Sequence, residues 1–189
     1  MTTGGIVHPA ETELFDDTLS CEVTLPVLFE AGASVLRPGA SEMLLRSVAL
    51  VEDSRSNDEG EERTDSSAQL QRLEARLDLT LVLLGRLLQQ TTQTLPLRPL
   101  RWSRHGLRID LPHALDAQPG STGVVKLLPV EWLPDHIELP VVVLAQEGTA
   151  AGSRLWLRLQ ETSEAFASAL ERHLFRLHRR QIADSRRNR

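Results

Sequence analysis

Between residues 67 and 95 the chain reads SAQLQRLEARLDLTLVLLGRLLQQTTQTL, and this stretch narrows the available folds more than any other. With Leu70 at heptad position a, Leu77, Leu84 and Thr91 recur at a, while Leu73, Thr80, Leu87 and Thr94 fall at d. Five of these eight seam positions are leucine, which predicts a coiled-coil helix about 40 Å long at 1.5 Å per residue. Leu79, Leu81, Val82, Leu83 and Leu88 then widen the apolar surface beyond the seam. A two-stranded coiled coil would leave those side chains wet, although each is worth roughly 1.5–3 kcal/mol when fully buried. The simpler alternative is an amphipathic helix packed on its own domain. The breadth of the leucine surface favours a shared bundle, with Leu70, Leu73, Leu77, Thr80, Leu81, Leu84, Leu87, Leu88 and Thr91 as its interface.

The segments around this helix have other periods. Residues 1–17 carry Gly, Pro and acids and read as a loose arm ahead of a single domain spanning 18–189. Cys21, Val23 and Leu25 alternate with polar neighbours as in a strand, with Pro26 marking an edge or bulge. A helix is expected over 40–52, capped by Ser41, with Met43, Leu44, Ser47, Val48 and Val51 on its buried face. Residues 53–66 hold no large apolar side chain and read as a disordered loop, so that 40–95 forms one helical insertion. After Pro96 the period becomes two. Strands are expected at 98–103, 107–111, 123–130, 136–146 and 152–159, the last with leucines on one face and Arg154, Trp156 and Arg158 on the other. A closing helix starts at Thr162 or Ser163, buries Phe166, Leu170, Leu174 and Leu177, and frays after 179. This order predicts an α+β protein built on a small antiparallel barrel or sandwich.

Composition removes several function classes. A net charge of −5 and 4% aromatic residues argue against nucleic-acid binding. The single Cys21 allows no internal disulfide and points to a reducing compartment. Neither a signal peptide nor an apolar run long enough to span a membrane is present, so the expected location is cytoplasmic. The six histidines show no metal-ligand spacing. Ser103, His105 and Asp110 have the residue types of a catalytic triad, but closeness in sequence is no evidence of triad geometry.

Two stretches carry a resemblance to a known family. Residues 101–112, RWSRHGLRIDLP, are similar to the second binding motif of PilZ domains, with Ser103 and Gly106 in place and Arg101 where that motif has Asp or Asn. Residues 154–181 resemble the last strand, closing helix and Arg-Arg-Gln tail of the same family. The resemblance implies a six-stranded antiparallel β-barrel with a C-terminal helix, used by bacteria to sense cyclic di-GMP. Ligand binding in that family depends on an Arg-x-x-x-Arg motif ahead of the first strand, and this chain has no Arg before residue 37. It therefore looks most like the atypical branch, in which an inserted heptad helix assembles a tetramer.

Two functional expectations follow. The first is a noncatalytic regulatory adaptor without a cofactor, a homo-oligomer that meets protein partners through its barrel. The second is a direct cyclic-di-GMP receptor that uses Arg98, Arg101, Ser103, Arg104 and Gly106, with arginines neutralising phosphate. Against the second stands the reading of these arginines as solvent-facing side chains of a strand.

Overall fold

The computed structural model describes residues 7–35, 37, 39–57, 73, 77, 80, 95–133 and 135–187, with 53–57 described by backbone alone. Six strands, β1 (Ser20–Ala31), β2 (Leu97–Ser103), β3 (Gly106–Leu111), β4 (Thr122–Leu127), β5 (Ile137–Thr149) and β6 (Gly152–Leu159), close into an antiparallel barrel. Their order around it is β1-β2-β3-β6-β5-β4. Three helices accompany them: α1 (Pro9–Phe15), α2 (Ala40–Asn57) and α3 (Glu164–Arg187).

β1 serves two neighbours in succession. Residues 20–26 pair with β2 and residues 27–31 with β4, so Pro26 stands where the strand changes partner. A residue without an N–H suits such a corner. The inward sides of all six strands, including Trp102, Leu107, Ile109, Val125, Leu139, Leu155 and Leu157, form one core with Phe166, Leu170 and Leu174 of α3. Ser163 caps α3 by accepting from the Phe166 N–H at 3.0 Å.

α2 lies against α3 and β5, burying Leu45 and Val48. It runs to Asn57, past the expected end at 52, so only 58–66 of the supposed loop lie outside the described residues. Met43 and Ser47, assigned to its buried face from the sequence, are exposed, and Ser41 is no cap. Instead the Ser41 hydroxyl donates to the Glu138 carbonyl at 2.9 Å and accepts from the Glu138 N–H at 2.8 Å. β6 reaches only as far as Val141 on this side of β5, and the hydroxyl takes over where strand pairing stops.

Two expected loose ends are ordered. Pro9–Phe15 is a helix packed on the barrel, because Pro9 suits a first helical position and Leu14 and Phe15 have an apolar surface to cover. α3 does not fray at 179; it continues to Arg187, tied to α2 where Arg180 and Arg176 meet the buried Glu52. Of the heptad positions, Leu73, Leu77 and Thr80 are helical and exposed, the two leucines at 58% and 56%. Leu70, Leu81, Leu84, Leu87, Leu88 and Thr91 lie outside the described residues.

Candidate functional site: an arginine-lined face of the barrel

Strand register sets a row of polar side chains across the outside of the barrel. Glu22 of β1 is opposite Arg101 of β2, Arg101 opposite Arg108 of β3, and Arg108 opposite Trp156 of β6. Side chains at paired positions share a face, so four strands contribute to one line. α1 lies over this line and inserts Glu11 into it.

The Glu11 carboxylate collects three donors. Oε1 accepts from Arg101 Nη1 at 2.7 Å and Arg108 Nη1 at 2.8 Å, and Oε2 accepts from Trp156 Nε1 at 2.7 Å. Burial by itself would raise the Glu11 pKa, but the Trp156 and Arg101 hydrogen bonds and the charges of Arg108 and Arg101 outweigh it and hold the group below its usual range. Arg101 is further fixed by two hydrogen bonds to Ser20 Oγ and lies 4.4 Å from the centre of the Phe15 ring. Arg108 also faces two further carboxylates, Glu22 Oε1 at 3.6 Å from Nη2 and Asp110 Oδ1 at 3.9 Å from Nε, and its buried Nε makes no hydrogen bond.

The remaining contacts of α1 use the residues of the expected ligand motif. Ser103 Oγ donates to the Leu14 carbonyl at 2.6 Å and accepts from the N–H groups of His105 and Gly106. A Cβ on Gly106 would come within 2.1 Å of the Leu157 carbonyl oxygen and 2.8 Å of Leu14 Cδ2, so glycine is what lets both β6 and α1 approach. His8 stacks on Trp156 with ring centres 4.5 Å apart, and Arg158 pairs with Glu13 at 3.0 Å.

The five residues grouped in the sequence are thereby divided. Arg101, Ser103 and Gly106 converge on α1. Arg98 is cross-strand to Leu25 and shares its side of β2 with Leu100 and Trp102, so it lies on the opposite face from Arg101. Arg104 turns toward α3 and pairs with Glu171 at 2.9 Å. There it borders a groove of about 690 Å³ with Leu19, Arg172, Phe175 and Arg179. Ser103, His105 and Asp110 form no relay: Ser103 engages α1, His105 Nε2 faces Arg104 Nε at 3.3 Å, and Asp110 pairs with Arg154. Arg108 belongs to the basic cluster of Arg98, Arg101, Arg104 and Arg108 visible in the sequence, whereas Trp156 and Glu11 are not among the expected site residues. The outward alternation of Arg154, Trp156 and Arg158 was the available signal for one of them, whereas nothing local marks Glu11 as their partner. Among the described residues there is no group of three His, Cys, Asp or Glu able to hold a metal, and no helix long and apolar enough to cross a membrane.

The barrel with its closing helix is the architecture of a PilZ domain, and comparison agrees. Residues 45–187 match the family model described as "Atypical PilZ domain, cyclic di-GMP receptor", and the chain belongs to that family. Among solved structures it is similar to a Xanthomonas campestris protein described as a new tetrameric PilZ domain self-assembled via an unusual helical bundle. The two share 48% identity over 92% of this chain and 96% of that one, with a TM-score of 0.80. The Bacillus subtilis inhibitor of motility (MotI/DgrA) also matches, at 23% identity over 47% of this chain and 43% of that one, with a TM-score of 0.37. No curated protein matches.

Proposed function

We propose that this chain is a noncatalytic regulatory adaptor in cyclic-di-GMP-linked signalling, self-assembling through the helix of 67–95 and meeting protein partners through its barrel. The observation that carries the reading is the use made of the degenerate motif. Arg101 already serves Glu11 and Ser20, and Ser103 and Gly106 serve Leu14. The residues a dinucleotide would need are holding part of the protein itself, and no arginine pair precedes β1 to replace them. Self-assembly draws on the exposed Leu73 and Leu77, four residues apart on one helix face, and on the tetrameric helical bundle of the Xanthomonas relative. On that precedent the assembly is a tetramer.

The second reading, a cyclic-di-GMP receptor, is favoured by the groove beside Arg104. Arg172 and Arg179 also line it, and Phe175, 54% exposed, offers a ring for stacking. Titration calorimetry with cyclic di-GMP, paired with light scattering, separates the two. The adaptor reading expects no saturable heat and a mass that is a multiple of the 21.1 kDa protomer. An isotherm with a near-micromolar midpoint, or a monomer mass in dilute buffer, overturns it.

A further inference from the structure

The way α1 is held shows what kind of surface lies beneath it. Its contact side consists of the capping His8 and of Ala10, Glu11, Leu14 and Phe15, at helical spacing, so that one side of a two-turn helix meets the barrel. The barrel answers with the Trp156 ring for His8, three converging N–H donors for Glu11, and the Ser103–Gly106 turn for Leu14. Phe15 lies under the Arg101 guanidinium. These receiving groups sit on β2, β3 and β6, whose mutual register fixes the row.

Three features make α1 a removable occupant. A seven-residue helix is marginal by itself and depends on its docking contacts. It joins β1 through Asp16–Leu19, where Asp17 adopts a left-handed φ of 56°, an uncommon conformation for a non-glycine residue. The seat also keeps one unmade hydrogen bond, since Arg108 Nε has only the longer ion pair to Asp110 Oδ1 at 3.9 Å, with Glu22 Oε1 at 3.6 Å from its Nη2, and a closer acceptor oxygen would complete it.

We infer that the Arg101–Arg108–Trp156 face is a docking seat for a short acidic helix of a partner protein, with a Glu followed three and four residues later by Leu and an aromatic residue, and that α1 is its occupant in cis until such a partner displaces it. This inference rests on the adaptor reading and names the chemistry of the partner. Electrostatic complementarity sets the polarity of the partner: two guanidiniums at the centre select an acid. The apolar rim selects what must follow that acid. A tethered occupant competes at an effective concentration in the millimolar range for a short linker, so α1 masks the seat from weak ligands.

The test uses the full chain and a fluorescently labelled peptide copying residues 7–17. Weakening α1 with Glu11→Ala and Leu14→Ala should make the peptide bind at least tenfold more tightly than it binds the unmodified chain. Glu→Gln in the peptide at the position equivalent to 11, or Arg108→Gln in the chain, should abolish that binding. If the double variant fails to fold, as judged by circular dichroism, Glu11→Gln alone makes the same comparison. Equal binding to both chains, no binding to either, or indifference to the Glu of the peptide overturns the inference. So does a gain in affinity for cyclic di-GMP in place of the peptide on weakening α1, which would mark a nucleotide site. Failure of the adaptor reading itself is seen separately, as cyclic-di-GMP binding by the unmodified chain.

Discussion

His173 occupies the interface between α3 and the barrel, 1% exposed, with its ring 5.6 Å from that of Trp102 and neither ring nitrogen hydrogen-bonded. Burial, reinforced by the charges of Arg180 and Arg176, pushes its pKa down to about 4 from 6.5. The folded state therefore prefers the neutral ring. Its contribution is fully present above pH 6.5 and is lost as pH falls toward 4, because over that window the unfolded chain binds a proton that the folded chain refuses. The loss should reach about 3 kcal/mol at roughly 1.4 kcal/mol per pKa unit. Urea denaturation at pH 7 and pH 4.5 should show most of it, and His173→Leu should flatten the dependence. Glu11 does not confuse this window, since its lowered pKa keeps its own contribution intact until pH falls below 4.5. A pH-independent stability in the unmodified chain between 7 and 4.5 would contradict the assignment. Residue types were readable here in advance, but partners were not. Trp156 was placed correctly on the outward face by alternation alone. The Glu11 that satisfies it is 145 residues away, and only barrel closure brings the two together.

At the level of elements, periodicity located every strand to within a few residues, because inward positions such as Leu155 and Leu157 alternate without interruption. Helices facing irregular surroundings were read less well. For α2 the periodicity predicts a face of Met43, Leu44, Ser47, Val48 and Val51; Val48 is buried as expected, but Met43 and Ser47 are exposed and Ser41 and Leu45 complete the docking. Serine near a helix start ordinarily signals a cap. In this chain the hydroxyl is recruited by the Glu138 backbone of β5, a tertiary demand that local pattern does not carry. Ser41→Ala should thus behave unlike loss of an ordinary cap, removing two hydrogen bonds to the Glu138 backbone at a buried site. We expect a loss of about 1–3 kcal/mol in denaturant unfolding, with faster hydrogen exchange at Glu138. Unchanged exchange there would mean that α2 is held by packing alone. Helix α1 escaped detection for a related reason: seven residues are too few to display a period, and its acids suggested solvent.

For the whole molecule, the fold class followed from the order of patterns, and the family was legible from residues 101–112 and 154–181. The part of the chain that prompted the idea of assembly is the part for which only Leu73, Leu77 and Thr80 are described. Replacing Leu73 and Leu77 by Asp should reduce the mass in solution to that of one protomer while leaving barrel stability within about 0.5 kcal/mol, the usual range for surface positions. Sedimentation velocity gives the first quantity and urea denaturation the second. Unaltered sedimentation would refute association through this helix. The closed barrel restricts how copies can meet at all. A ring in which each strand has a neighbour on either hand, with Ser41 of α2 covering the stretch of β5 that β6 does not reach, gives another chain little backbone edge to extend. Growth of mixed sheets or fibres from the barrel thereby has little to start from. Recognition between subunits or with other proteins is left to side chains on helices and strand faces, where it can be tuned one residue at a time without disturbing the sheet.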